Sequence, residues 1–277
     1  VMQLSIIGTS SIVEQHIKAA KKNNFSLHSI STTRKKVTPN LNKLYKKYFF
    51  KNRFVDWKKM YEKTKSEKDM VYLISPRIKD SMKVALFFLK KDKKILLEKP
   101  ISNNMRDFNS LIKYKKNIFV GYNRVYYGNI KFLKQKKLKN SIIYVTCSEQ
   151  NKISFLNNSC HIISILKYLY PDLKFIENIK SLNHIFSKLI SENKKTIIYL
   201  NVVFNYPKIF SIEILNQNKI YELKPIENLK IIKEIKIERK KNKVKPIQKV
   251  FYSKEEDTKN NLKPGFNNQW KEFKKFI

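Results

Sequence analysis

The stretch 69–75, Asp-Met-Val-Tyr-Leu-Ile-Ser, constrains the fold more than any other in this chain. Five successive apolar or aromatic residues sit between polar ones. The run is too short for a buried helix and lacks the alternation of a half-exposed strand. It suits a central parallel strand covered on both faces. Similar short runs recur at 3–7, 25–31, 94–97 and 118–121. Between them, helical patterning is read at 12–22, 40–50, 56–65, 79–91 and 103–114. Strand and helix in alternation, joined by short turns, predict a doubly wound parallel sheet.

The rhythm changes near residue 123. A helix at 130–136, a strand at 141–148 and an apolar helix at 158–170 are followed by runs at 174–182, 184–191, 195–204, 208–215, 219–223 and 229–238. Consecutive strands with little helix between them predict a mostly antiparallel open sheet in a second, α+β domain. The expected division is 1–122 and 123–277, with 267–277 as a helix closing the second domain. The Ile- and Lys-rich segment 230–245 reads as an edge strand or hairpin, its lysines guarding the edge.

Composition narrows the function classes. The chain of 277 residues carries a formal charge of +37, which invites a nucleic-acid reading. Only six of its 59 basic residues are Arg, at positions 34, 53, 77, 106, 124 and 239, and the lysines are spread along the whole chain. Dedicated phosphate and base readers lean on Arg. The chain is also rich in Asn, Ile and Phe and has four Gly, against about 19 for average usage. This is the look of a genome-wide bias, and no nucleic-acid partner is expected. Cys147 and Cys160 are the two cysteines, too few for a disulfide framework, so a reducing, cytoplasmic setting is expected. No uncharged apolar run is long enough to span a bilayer. The opening residues 1–8 lack a basic n-region and a small-residue cleavage site, so no secretory signal is expected.

The chemistry-bearing residues cluster at strand ends. Gly8-Thr9-Ser10-Ser11-Ile12-Val13 stands where a dinucleotide fingerprint G-x-G-x-x-G would lie, with the first glycine alone kept. The helix N-terminus that follows can hold a phosphate with its N–H groups, and Ser10 and Ser11 add hydroxyls. The second strand ends Ser31-Thr32-Thr33-Arg34-Lys35-Lys36, with no acid for a ribose 2′-OH. Hydroxyls followed by a base suit a 2′-phosphate, which tilts the expectation from NAD towards NADP. Ser75-Pro76, Glu98-Lys99-Pro100 and Gly121-Tyr122-Asn123-Arg124 end the next three strands, where open α/β sheets bind ligands.

With these residues in place, the chain resembles the Gfo/Idh/MocA family, the oxidoreductases named after glucose-fructose oxidoreductase and inositol dehydrogenase. Glu98-Lys99-Pro100 after a Leu-Leu strand, with Gly121-Tyr122-Asn123-Arg124 beyond it, carries the resemblance. It covers about the first 170 residues well and the rest loosely, as two-domain anatomy allows. His16 matches a position in the first helix. Asn157-Asn158-Ser159-Cys160-His161 resembles the D-x-x-x-H start of a helix in the second domain, and 263–269 resembles a C-terminal segment of sugar-acting members. The chain departs from the pattern at the glycine loop, at Asp80 where many members have His, at Asn157 in place of Asp, and at Ser164.

The resemblance implies a Rossmann-type N-terminal domain. Its cofactor contacts are expected from Gly8, Ser10, Ser11, Thr33, Arg34, Ser75, Pro76, Glu98 and Lys99. Substrate contacts are expected from Lys99, Tyr122, Asn123, Arg124, Asn157 and His161. It also implies an NAD(P)-dependent enzyme that moves a hydride between nicotinamide and a secondary alcohol of a sugar, sugar acid or nucleotide-sugar. His161 is then the general acid/base, apt because imidazole titrates near ~6.5, and Lys99 the cation that stabilises the alkoxide. No metal is expected. The open sheet of the second domain suggests a homo-oligomer, dimer or tetramer. A second reading stays open, in which the chain keeps the fold and binds a sugar or nucleotide without turnover. His28, His184 and Cys160 carry no functional expectation.

Overall fold

The computed structural model describes residues 1–102, 104–151, 155–205, 210–240, 243–255 and 261–277. They form two units: Val1–Asn123 with Asp257–Ile277, and Arg124–Glu256.

The first unit is built on six parallel strands, β1 (Gln3–Ile7), β2 (Ser26–Ser31), β3 (Asn52–Phe54), β4 (Met70–Ile74), β5 (Ile95–Leu97) and β6 (Ile118–Val120). Their order is β3-β2-β1-β4-β5-β6. All five residues of β4 are buried, as a strand covered on both faces requires. The connecting helices are α1 (Ser11–Lys22), α2 (Pro39–Tyr48), α3 (Trp57–Thr64), α4 (Ile78–Leu89) and α5 (Met105–Ile112). Local sequence sets where several begin. Thr38 accepts from Leu41 N–H ahead of Pro39 at the head of α2. Asp56 caps α3 through Lys58 N–H, and Asn104 caps α5 through Arg106 N–H. Two cores result. One joins β1 and β2 to α1 and α2, and the other joins β4 and β5 to α3 and α4. The strand order turns back between β1 and β4, which opens a crevice at their C-terminal ends.

In the second unit, α6 (Gly128–Gln135), β7 (Ser141–Glu149), a π-helical turn (Phe155–Ser159) and α7 (Cys160–Leu169) precede seven further strands. These are β8 (Lys174–Lys180), β9 (His184–Ser191), β10 (Thr196–Phe204), β11 (Ser211–Asn216), β12 (Lys219–Leu223), β13 (Asn228–Lys240) and β14 (Lys243–Lys254). The sheet runs β14-β13-β12-β11-β7-β10-β9-β8. Every neighbouring pair is antiparallel except β7 with β10, which run parallel. Alternation is clean on β10, where Thr196, Ile198, Leu200, Val202 and Phe204 face inward.

Two expectations need correction. The C-terminal helix α8 (Phe266–Phe276) belongs to the first unit, not the second. Its Phe266, Trp270 and Phe273 join the core of β1, β2 and α1, and Trp270 meets Phe25 edge-on at 5.0 Å. The segment expected as one edge strand or a single hairpin over 230–245 is half of a longer hairpin, because β14 continues to Lys254. Pro246 lies in β14, a strand at the sheet edge, where a missing N–H is tolerated.

Candidate active site

The crevice begins at Gly8. Its N–H donates to Ser31 O at 2.9 Å, while Ser75 N–H donates to Ile7 O at 2.8 Å, so the ends of β1, β2 and β4 are tied together. Gly8 has φ +131°, and a Cβ on it would lie 2.0 Å from Ser75 O. No other residue fits there without moving the backbone. A cleft of about 520 Å³ opens beside it. Of the expected cofactor residues, Gly8, Ser10, Thr33, Arg34, Ser75 and Pro76 line this cleft, with Thr9, Thr32, Thr38, Pro39, Asn40 and Arg77. Ser11 is exposed in the first turn of α1 and is not among the lining residues. Ser10 precedes α1 in extended backbone, and its hydroxyl does not cap the helix.

Sequence reasoning missed one group here. Thr33 Oγ1 donates to Asp80 Oδ2 at 2.9 Å. Asp80 comes from the first turn of α4, so a carboxylate reaches the end of β2 from another element. Asp80, Thr32 and Thr33 also border a second cavity of about 250 Å³, with Lys35, Lys58 and Lys83 on its wall.

Glu98, expected on the cofactor, is turned inward. It is 8% exposed; Oε1 lies 2.7 Å from His16 Nε2 and Oε2 accepts Lys99 N–H at 3.2 Å. It is absent from the cleft lining. Lys99, half-buried, follows β5, and its peptide bond to Pro100 is cis. Beside β5, Gly121 N–H donates to Leu97 O at 2.8 Å. Half-buried Tyr122 and Asn123 follow it, and Asn123 Nδ2 donates to Pro264 O at 3.2 Å. Asn123 thus holds the C-terminal segment to the first unit.

In the second unit, Arg124 lies 3.8 Å from Glu227, so the guanidinium expected on a substrate anion already faces a carboxylate. Asn157 lies in the π-helical turn, and its carbonyl accepts from the Cys160 thiol at 3.4 Å. His161, 6% exposed, is the second residue of α7, and its carbonyl accepts from Ser164 Oγ at 2.7 Å. Glu149 is a group the sequence reading passed over. It is buried at the end of β7 and accepts from Ser159 Oγ at 2.6 Å and Asn158 Nδ2 at 3.2 Å, securing the turn before His161. The signal was available: Ser141, Ile143, Val145 and Cys147 share its inward register, where a lone carboxylate needs partners. Burial pushes the Cys147 thiol up to about 12, which leaves it inert as a nucleophile.

Residues 2–123 match the model of the oxidoreductase family with an NAD-binding Rossmann fold, Gfo/Idh/MocA. This match covers the first unit's sheet and places residues 2–123 with that family's NAD-binding domain. Solved structures at low identity share the fold. A dehydrogenase, MviM, from Clostridium difficile superposes with a TM-score of 0.75 at 16% identity, over 100% of this chain and 92% of that one. Myo-inositol dehydrogenase from Lactobacillus casei, in complex with NAD(H) and myo-inositol, gives 0.63 at 14% identity, over 88% and 78%. WlbA dehydrogenase from Chromobacterium violaceum, in complex with NADH and UDP-GlcNAcA, gives 0.64 at 14% identity, over 80% and 73%. A search of curated proteins by sequence returns no match. The match gives residues 2–123 the NAD-binding Rossmann fold of an oxidoreductase family. Its first-unit cleft fits such a cofactor: a helix N-terminus with the Ser10 hydroxyl suits a pyrophosphate, and Thr33 with Arg34 suits the ribose end. Among the described residues, no helix is long and apolar enough to cross a membrane.

Proposed function

We propose that the chain is an NAD(P)-dependent oxidoreductase acting on a secondary alcohol of a sugar, sugar acid or nucleotide-sugar. The observation that carries this reading is the cleft at the β1/β4 reversal, with Lys99 at the end of the adjacent strand β5. Ligands of open α/β sheets bind at such reversals. Structural relatives in complex with myo-inositol, levoglucosan and UDP-GlcNAcA support the substrate class.

A bound nicotinamide would supply the hydride acceptor or donor. In the oxidising direction His161 would take the O–H proton of the alcohol, and the Lys99 ammonium would offset the alkoxide charge that develops. Tyr122 and Asn123 border the substrate. Asn157 sets the turn ahead of His161. Ser10 with the start of α1 receives the pyrophosphate, and Arg34 the ribose 2′ position. The setting is cytoplasmic. Arg34→Asp is expected to weaken NADPH binding more than NADH binding, measured by fluorescence titration of both. Equal weakening, or none, removes Arg34 from the 2′ position. The Asp80 carboxylate at Thr33 favours the alternative, an NAD preference, since it brings an acid to the same rim.

We also propose that a second copy covers the outward face of the second unit's sheet. Ile142 and Tyr144 are 40% and 43% exposed there, and Tyr199 stacks on Tyr144 at 5.5 Å and on Phe186 at 6.0 Å. An apolar sheet face of this kind is the usual ground for an isologous contact. Sedimentation of the purified chain should show a dimer or tetramer, and Tyr144→Glu should shift it towards monomer. A monomer at micromolar concentration rejects the contact.

A further inference from the structure

Trp270 in α8 and His16 in α1 are 254 residues apart and both fully buried. The indole Nε1–H donates to His16 Nδ1 at 3.1 Å. An indole nitrogen can only donate, so Nδ1 must present its lone pair and the ring proton must sit on Nε2. That Nε2–H points to Glu98 Oε1 at 2.7 Å, and Glu98 Oε2 accepts Lys99 N–H at 3.2 Å. The donors therefore run one way, from Trp270 through His16 and Glu98 to the backbone of Lys99. Packing holds the imidazole in that orientation: Phe266 lies edge-on at 5.0 Å and Trp270 at 6.0 Å. Gly121 leaves the space the carboxylate fills, since a Cβ there would lie 2.6 Å from Glu98 Oε1.

We propose that Trp270 and His16 are positioning residues for Lys99, with Trp270 selecting the His16 tautomer that clamps Glu98 against the Lys99 peptide. The functional half of this inference rests on the reading of Lys99 as the polarising cation. A carboxylate buried at the end of β5 is costly unless both oxygens are met by donors. A neutral histidine that donates from Nε2 leaves Nδ1 as a buried acceptor, costly unless a donor meets it, and α8 supplies that donor. The C-terminal helix is in this way part of the Lys99 turn, although it follows the whole second unit in sequence.

The test uses the full chain and two spectroscopic readouts. In ¹⁵N spectra, His16 of the unmutated protein should show a protonated Nε2 and a bare Nδ1. Residue-resolved hydrogen exchange should then show the Lys99 amide exchanging about tenfold faster or more in His16→Leu, as loss of a hydrogen bond to a charged group implies. The amides of the cleft-lining residues Ser10 and Thr33 should keep their rates. His16→Gln, which offers both an acceptor and a donor, should restore most of the Lys99 protection. If His16→Leu does not fold, Trp270→Phe keeps the histidine and the ring bulk, and should accelerate the same amide. A protonated Nδ1 in the unmutated protein, unchanged Lys99 exchange in the variants, or a Gln variant no better than Leu would each overturn the proposal. Titration of the same samples with NADH and NADPH separates the two readings. Exchange behaving as expected in a protein that binds neither dinucleotide supports the clamp and sinks the oxidoreductase reading instead.

Discussion

Replacing His161 with alanine is expected to lower turnover by ~10²–10⁴, the usual loss when a positioned general base is removed. Dinucleotide affinity should be nearly unchanged. The cleft residues that would hold the cofactor belong to the first unit, whereas His161 belongs to the second, at the start of α7. Lys99→Ala should behave differently and impair both turnover and cofactor binding, because that side chain is assigned to both nicotinamide and substrate. The measurement is NAD(P)H formation over a panel of polyols, sugar acids and nucleotide-sugars, with cofactor affinity followed separately. If His161→Ala keeps full turnover on a substrate the parent protein oxidises, the proton-transfer role is wrong. If no member of the panel is turned over while a sugar or nucleotide binds, the binding-only reading replaces the enzymatic one.

Gly8→Ala is the substitution expected to damage the fold most. The left-handed backbone at φ +131° disfavours any Cβ, and the new atom would lie 2.0 Å from the Ser75 carbonyl oxygen. Neither partner is a flexible side-chain tip. Strained backbone and overpacking together should remove about 2–4 kcal/mol of stability. A lowered denaturation midpoint with an unchanged denaturant slope would show this. Gly128→Ala is the control. Its Cβ would meet Glu255 Oε1 at 3.1 Å, the end of a side chain that can shift, so the effect should be below ~1 kcal/mol. Similar losses at the two positions would mean that Gly8 is not pinned between β1 and β4.

Much of the fold was legible because its signals are local. The apolar run of β4 and the helical patterning at 12–22, 40–50 and 79–91 each express a single element's own physics. Partner choice was not legible. The spacing of Phe266, Trp270 and Phe273 shows that α8 buries one face, but not that the face lies on β1 and α1. The parallel pairing of β7 with β10 depends on how intervening chain returns, which no residue type encodes. The same limit applied at the site. Gly8, Ser10, Arg34 and Lys99 stand at strand ends and could be found there. Asp80 reaches Thr33 from another helix, and the His16–Glu98 contact joins two elements 82 residues apart. Glu98 illustrates the cost of reading by strand end alone, since its backbone is where a ligand contact is expected while its carboxylate serves the interior.

The central claim is that the first-unit cleft holds a nicotinamide dinucleotide with its pyrophosphate at the start of α1. Titration of the full chain with NADH and NADPH, alongside Ser10→Asp, tests it most directly. The unmutated chain should bind at least one of them saturably by ~1 mM, the upper end of the usual enzyme range. Ser10→Asp should lose that binding, because it sets a carboxylate beside the phosphates. Absence of binding by either dinucleotide, or equal binding by Ser10→Asp and the parent chain, would contradict the account.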